Sequence, residues 1–335
     1  MEHSGIEWTD NTFNGWVGCT KVSPACQQCY AATIALRFGH VKNWGRDRKY
    51  LSDHNWKKPI SWNKKSSTES GRRTRVFCAS MSDIFEKHGK VLPEWRDRLW
   101  ALIENTPQLD WQLLTKRPEN ILSMVPKEWA FDGFPPNVWV GTTVESQEWA
   151  LKRLPILMEI PARIRFISAE PLIGPLDLTP WLVAPEADDH LRIKGRDDGI
   201  QWVIAGGEQA AEARPMHPAW LRTIRDDCQR FEVPLFFKQW GTFRSFDIVD
   251  NGHGSPIHRL PVAFRGRKRH QITPSASAIF LPCEIPFAQH AAYRIGGAVA
   301  IRAKLDITGR SLDGQEISQF PKTPFEANSA DSSAA

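Results

Sequence analysis

The stretch GCTKVSPACQQCYA, residues 18–31, gathers Cys19, Cys26 and Cys29 within eleven positions of a chain that has 6 cysteines in all. Three sulfurs in one short loop cannot pair off among themselves, so a disulfide framework explains them poorly. Reduced thiols at this density point to metal binding. The spacing is C-x6-C-x2-C. Gly18 permits a tight turn before the first cysteine, and Pro24 stiffens the interval that follows. Such a set leaves one coordination position for something other than cysteine. In a 4Fe–4S cluster that position is an iron open to a small molecule; around zinc it would be filled by His3, His40 or water. Cys78, inside an apolar strand-like run, and Cys228, in a helix-like one, read as buried thiols.

A loop of this kind needs a rigid frame. Downstream of it the sequence alternates short apolar runs with longer amphipathic ones. Strands are expected at 75–80, 110–115, 137–142, 163–168, 200–205 and 233–238, and residues 6–17 are expected to supply a first strand before the cysteines. Helices are expected at 93–105, 146–157 and 218–231, two of them opening on proline at the favoured first position. Strands joined through helices run parallel, and the expected fold is α/β, a partial TIM-type parallel (β/α) barrel of about six to seven strands with the cysteine loop after the first strand. In such folds the chemistry sits at the C-terminal ends of the strands. The segments found there are SMSD (80–83), TKRPEN (115–120), TTVESQ (142–147), SAEPL (168–172), GGEQ (206–209) and KQWG (238–241). They would turn Ser80, Asp83, Lys116, Thr142 and Glu145 toward one mouth, with Ser168, Glu170, Glu208, Lys238 and Gln239 completing it. Polar residues also end strands and cap helices for purely structural reasons.

Composition bounds the partners. With 335 residues, 41% hydrophobic and 24% charged, the chain can bury a large core. It has neither a basic stretch followed by an apolar run at its start nor eighteen consecutive apolar residues, so a cytoplasmic protein with no membrane partner is expected. The net charge of +5 is mild for a nucleic-acid binder but unevenly spread, with basic runs at Lys57–Arg75 and at Arg265–His270. Such runs either track phosphates or are solvated loops. Among the 15 tryptophans, Trp95 and Trp100 fall in a helix-like segment and read as core. Residues 184–199 read as a polar surface excursion, and 243–293 lose the βα rhythm. The domain reading is 1–241 for the barrel, 242–321 for an irregular extension packed on it, and 322–335 for a disordered tail.

A three-cysteine loop ending CQQCYA after strand one of a parallel βα barrel resembles the radical S-adenosylmethionine enzymes, whose usual first interval is three residues shorter. More closely, GCTKVSPACQQCYA, LLTKRPEN, VWVGTTVES, RFISAEPLIGPLDL, VIAGGEQAAEARPM, PLFFKQWG and GRSLDGQEISQFP, in that order, resemble the phage and prophage three-cysteine-motif proteins, a family of unknown activity. The resemblance implies a 4Fe–4S cluster on Cys19, Cys26 and Cys29 with S-adenosylmethionine on the open iron. Reductive cleavage would then give a 5′-deoxyadenosyl radical that abstracts hydrogen from a substrate. It also implies an electron donor as partner. For cofactor contacts the rim groups on the middle strands, Thr142, Glu145, Ser168 and Glu170, are expected, their hydroxyls and carboxylates suiting a ribose and an ammonium. Glu208, beside two glycines that permit close backbone approach, is expected as a substrate or cofactor contact. The sequence does not name the substrate; phage context makes DNA or a nucleotide the candidate. The alternative reading is a phage nucleic-acid-binding protein stapled by zinc or iron–sulfur, without catalysis.

Overall fold

The computed structural model describes residues 4–69, 72–182, 199–250, 256–258, 278–281, 298–302 and 310–321. Seven strands form one sheet in chain order: β1 (Asn11–Phe13), β2 (Thr74–Cys78), β3 (Leu109–Thr115), β4 (Val138–Thr143), β5 (Ile164–Ala169), β6 (Trp202–Gly206) and β7 (Leu235–Gln239). Every neighbouring pair is parallel. The sheet curls into a half-barrel, and among the described residues β7 does not pair with β1. The six strands expected from 75 to 238 match β2–β7 to within two residues at their ends, and β1 lies inside the segment 6–17 expected to supply the first strand.

Period-two alternation divides each strand between two faces. On β4, Val138 and Val140 join the large core that includes Leu99 and Ile103 of α3 (Pro93–Glu104) and Leu154 of α4 (Gln147–Met158). The opposite side chain, Trp139, joins Trp8, Phe77, Phe166, Trp202 and Phe236 in a second cluster that contains no helical residue. The helix-covered outer face mixes aliphatic and aromatic side chains, and the inner face is mainly aromatic. Trp139 meets Trp202 edge-on at 5.8 Å, and Trp8 lies 4.6 Å from Phe77, so indole and phenyl rings fill the half-barrel. Trp100 is buried in the outer core with Trp95 packed against it, as expected.

Two further helices follow the cysteine loop, α1 (Tyr30–Arg37) and α2 (Asp53–Glu69), and α5 (Pro218–Arg230) precedes β7. Pro93 and Pro218 occupy first-turn positions, and His217 caps α5 by accepting from the Ala219 amide at 3.0 Å. The open edge of β7 is covered by the chain's own later segment. Phe237 N donates to Ile317 O and Gln319 N to Leu235 O, while the Phe320 ring lies 5.3 Å from Phe236 with the Arg75 guanidinium 3.7 Å over its face. A covered edge offers no unpaired ladder to another chain.

Where the βα rhythm stops, the structure has an antiparallel sheet in the order Pro256–His258, Phe243–Asp250, Ala298–Arg302, Ala278–Leu281. The run Arg265–His270, residues 184–198 of the excursion expected at 184–199, and the tail at 322–335 lie outside the described residues. The Lys57–Arg75 run is not one loop along the mouth. Its first part belongs to α2, where Trp62 is buried, and its last arginines sit at the N-terminal end of the sheet. There Arg73 pairs with Asp110 at 2.6 Å and Arg72 with Asp10 at 2.8 Å, so carboxylates at the starts of β1 and β3 hold them away from the opposite rim. No helix among the described residues is long and apolar enough to cross a membrane.

Candidate functional site

The cysteine loop leaves the C-terminal end of β1 and is built by local constraints that its sequence announces. Gly18 has φ 114°, and a β-carbon there would lie 2.2 Å from the Asp47 carbonyl oxygen, so only glycine fits. Pro24 opens a short 3-10 turn over Pro24–Cys26, and Cys29 in extended conformation starts α1. Cys19, Cys26 and Cys29 all line one cavity of about 190 Å³ at the strand ends. Cys78 and Cys228 are buried in the outer core, where burial pushes both thiols far up. Cys283 lies outside the described residues.

Three side groups pin the loop from three strand ends. Glu86, which follows β2, accepts from the Thr20 amide at 2.7 Å and from Arg48 through both oxygens. Arg117, after β3, donates to the Thr20 carbonyl at 2.7 Å, pairs with Asp83 at 2.9 Å and brings its guanidinium within 3.7 Å of Cys19 Sγ. Glu145, after β4 and fully buried, accepts from the Ala25 amide at 3.1 Å and from Arg153 at 2.9 Å. Arg214 closes the third side, donating to Pro24 O and Gln27 Oε1 while it grips Glu208 at 2.9 Å. Burial and the neighbouring Asp83 carboxylate push the Cys19 thiol up to about 12, against the pull of Arg117.

The expected cofactor contacts divide into two groups. Ser168, Glu170 and Glu208 line the cavity with the cysteines. Thr142 and Glu145 do not. Thr142 shares the parity of Val138 and Val140, so it faces the helices and donates to the Thr115 carbonyl at 2.9 Å; its neighbour Thr143 faces the cavity instead. Glu145 is spent on Ala25 and Arg153, which makes it part of the frame under the loop. Glu170 pairs with Lys238 at 2.6 Å and accepts from Gln239 at 3.4 Å. Gly207 yields to the protein's own backbone, since a β-carbon there would lie 2.0 Å from the Trp240 carbonyl oxygen. The sequence reading missed Thr143, Arg214, Glu86 and the inner wall of Ile6, Trp8, Phe77 and Leu114. Strand parity counted forward from Trp139 identifies Thr143, whereas nothing in the spacing foretells the arginine.

Among the described residues no three Cys, His, Asp or Glu side chains stand ready-made around a common point. The donor chemistry nevertheless fits an iron–sulfur cluster. Three soft sulfurs from one loop share a cavity, a guanidinium stands by to balance thiolate charge, and no histidine is among the cavity's lining. His40 lies beyond the end of α1, in ring contact with Phe38, and His3 lies outside the described residues.

The model of a protein family described as a protein of unknown function, DUF5131, matches residues 3–321. The chain belongs to that family. The match runs from the segment before β1 through Pro321, and so includes both the cysteine loop and the covering strap. No curated protein matches the sequence. Among solved structures, the chain has a distant similarity to spore photoproduct lyase. A cysteine-to-serine variant is 14% identical, with 77% of this chain and 71% of that chain covered and a TM-score of 0.39. A tyrosine-to-phenylalanine variant is 14% identical, with 75% and 68% covered and a TM-score of 0.36.

Proposed function

We propose that this DUF5131 protein is a radical S-adenosylmethionine-type enzyme, in which Cys19, Cys26 and Cys29 hold a 4Fe–4S cluster and the adjoining cavity receives S-adenosylmethionine and a substrate. One observation carries the reading: three thiols of a single loop line a single cavity at the C-terminal ends of a parallel sheet, facing Ser168, Glu170 and Glu208. When bound, the cluster supplies an electron that cleaves S-adenosylmethionine to methionine and a 5′-deoxyadenosyl radical.

The chain's own part is positioning and exclusion. Glu86, Glu145 and Arg214 fix the backbone of the loop at Thr20, Ala25 and Pro24, so the sulfurs are presented from a loop tied to several strand ends. Ser168 and Glu170 are the hydroxyl and carboxylate offered to a ribose or an ammonium. The aromatic wall of Trp8 and Phe77 keeps water from the inner side of the cavity, which a reactive radical requires. A separate electron donor is needed, and the protein acts on a substrate class taken up below.

Protein purified without oxygen and analysed for metal tests the reading. Iron and inorganic sulfide in equal amounts are expected, lost on Cys19→Ala, Cys26→Ala or Cys29→Ala and kept on Cys78→Ala and Cys228→Ala. Zinc in place of iron, with no sulfide, would support the metal-stapled binding protein instead.

A further inference from the structure

Each carboxylate that lines the cavity already has its own cation, and for Glu208 that cation is Arg214, which stands outside the lining. Asp83 pairs with Arg117 at 2.9 Å, Glu170 with Lys238 at 2.6 Å, and Glu208 with Arg214. Lys116 is the remainder. Its ammonium donates to Thr143 Oγ1 at 3.2 Å and meets no carboxylate within ion-pair distance among the described residues. An ammonium has three donors, and a single hydroxyl acceptor leaves it short of both charge and hydrogen bonds.

Hydrogen-bond capacity is lopsided in the same sense. Trp8 is 2% exposed and lines the cavity, yet its indole N–H has no partner among the described residues. The Ser82 hydroxyl, also in the lining, has none either and can donate to, or accept from, a ligand. An indole nitrogen can only donate. Buried donors without acceptors are costly, so the complementary ligand is rich in acceptors and carries negative charge. The inner wall adds a shape requirement, because Ile6, Trp8, Phe77 and Leu114 present rings and aliphatic carbon to whatever enters.

We propose that the cavity binds a ligand whose anionic group, a carboxylate or a phosphate, sits on the Lys116 ammonium while a flat apolar part lies against Trp8 and Phe77. The inference rests on the reading of this cavity as the ligand site. It requires no property of the metal. Thr143 orients the ammonium, and the acceptor atoms of the ligand complete the donors that the fold leaves open. The anion has two sources in the proposed reaction, the amino-acid carboxylate of S-adenosylmethionine or an acidic group on the substrate, and paired probes separate them.

Binding to the protein as purified is measured calorimetrically for two pairs: adenosine 5′-monophosphate against adenosine, and S-adenosylmethionine against its decarboxylated counterpart. In at least one pair the acidic member is expected to bind about tenfold more tightly, as a charge-assisted hydrogen bond allows. Lys116→Met should abolish that preference and Lys116→Arg should restore most of it. A preference confined to the first pair assigns the site to a phosphate-bearing substrate, and one confined to the second assigns it to the cofactor's carboxylate. Iron and sulfide are counted in all three proteins, so a failure of the cluster reading registers separately from a failure here. Equal binding within both pairs, a preference that survives Lys116→Met, or no binding of any probe at millimolar concentration would overturn the proposal.

Discussion

Glu145 Oε1 accepts a hydrogen bond from the backbone nitrogen of Ala25 at 3.1 Å, joining the end of β4 to the middle of a loop 120 positions earlier in the chain. The contact explains why a carboxylate at a strand end can matter to the cysteine loop without lining the cavity. Its other oxygen receives Arg153 at 2.9 Å, and both side chains are almost wholly buried. A buried pair of this sort is sensitive to the loss of either member, because the survivor is left charged and without its counterion.

Glu145→Gln is therefore expected to lower stability by about 3 kcal/mol or more and to loosen the loop at Cys26. Denaturant unfolding would show the first effect and reduced iron per chain the second. Unchanged stability with weakened S-adenosylmethionine binding would instead restore Glu145 to the cofactor's contacts.

Glu170 should behave in the opposite way. Its pair with Lys238 is about one-fifth exposed on each side, and its place in the cavity wall suits ligand contact more than packing. Glu170→Gln should change stability by no more than about 1 kcal/mol while weakening cofactor or substrate binding severalfold. Thr142→Val makes the control, with a cost of about 1 kcal/mol for the lost hydrogen bond to Thr115 and no effect on binding. A binding defect in Thr142→Val would contradict the assignment of faces on β4.

Acid sensitivity should appear at the far end of the sheet. Burial opposes ionisation of Asp10, but hydrogen bonds from Arg72 and from the Arg75 amide prevail and hold its carboxyl at about 2, below the ordinary 3.8. Folding favours the ionised form. The resulting stabilisation is complete above about pH 4 and is lost as pH falls through about 2. Thermal melts across that window should drop more steeply for the parent than for Asp10→Asn, and parallel curves would refute the assignment.

Phe320 packs at a tilt against Phe236 and Trp202 beneath the Arg75 guanidinium, which makes it the fastening of the strap over β7. Phe320→Ala should cost about 2 kcal/mol, less than for a fully enclosed ring, and should raise the tendency to aggregate by uncovering the β7 edge. Sedimentation at increasing protein concentration would reveal it. A variant as stable and monodisperse as its parent would mean that the strap is held by its backbone bonds alone.

The frame was legible because its signals are local. Runs such as NVWVGT and IQWVIA are apolar, β-branched and bounded by turn residues, and Pro93 and Pro218 mark helix starts on their own. The cysteine loop was legible for the same reason, with Gly18, Pro24 and three sulfurs lying within a dozen positions. The rim was only half legible. Parity along Trp139, Gly141 and Thr143 shows which threonine faces inward, and Thr142 is the wrong register by one. The partners of Glu145 and Glu208 could not be read at all, since a carboxylate's role is set by whichever cation the fold brings to it. Arg214 reaches Pro24 across 190 positions. The basic run at Lys57–Arg75 misleads for a related reason, because charge density in sequence carries no record of the acids Asp10 and Asp110 that absorb it.

The central claim is tested most directly by incubating the iron-loaded protein with S-adenosylmethionine and a strong reductant in the absence of oxygen, then measuring 5′-deoxyadenosine. The account predicts 5′-deoxyadenosine and methionine in equal amounts from the parent and none from Cys26→Ala. Absence of 5′-deoxyadenosine from protein that demonstrably holds a 4Fe–4S cluster would contradict it.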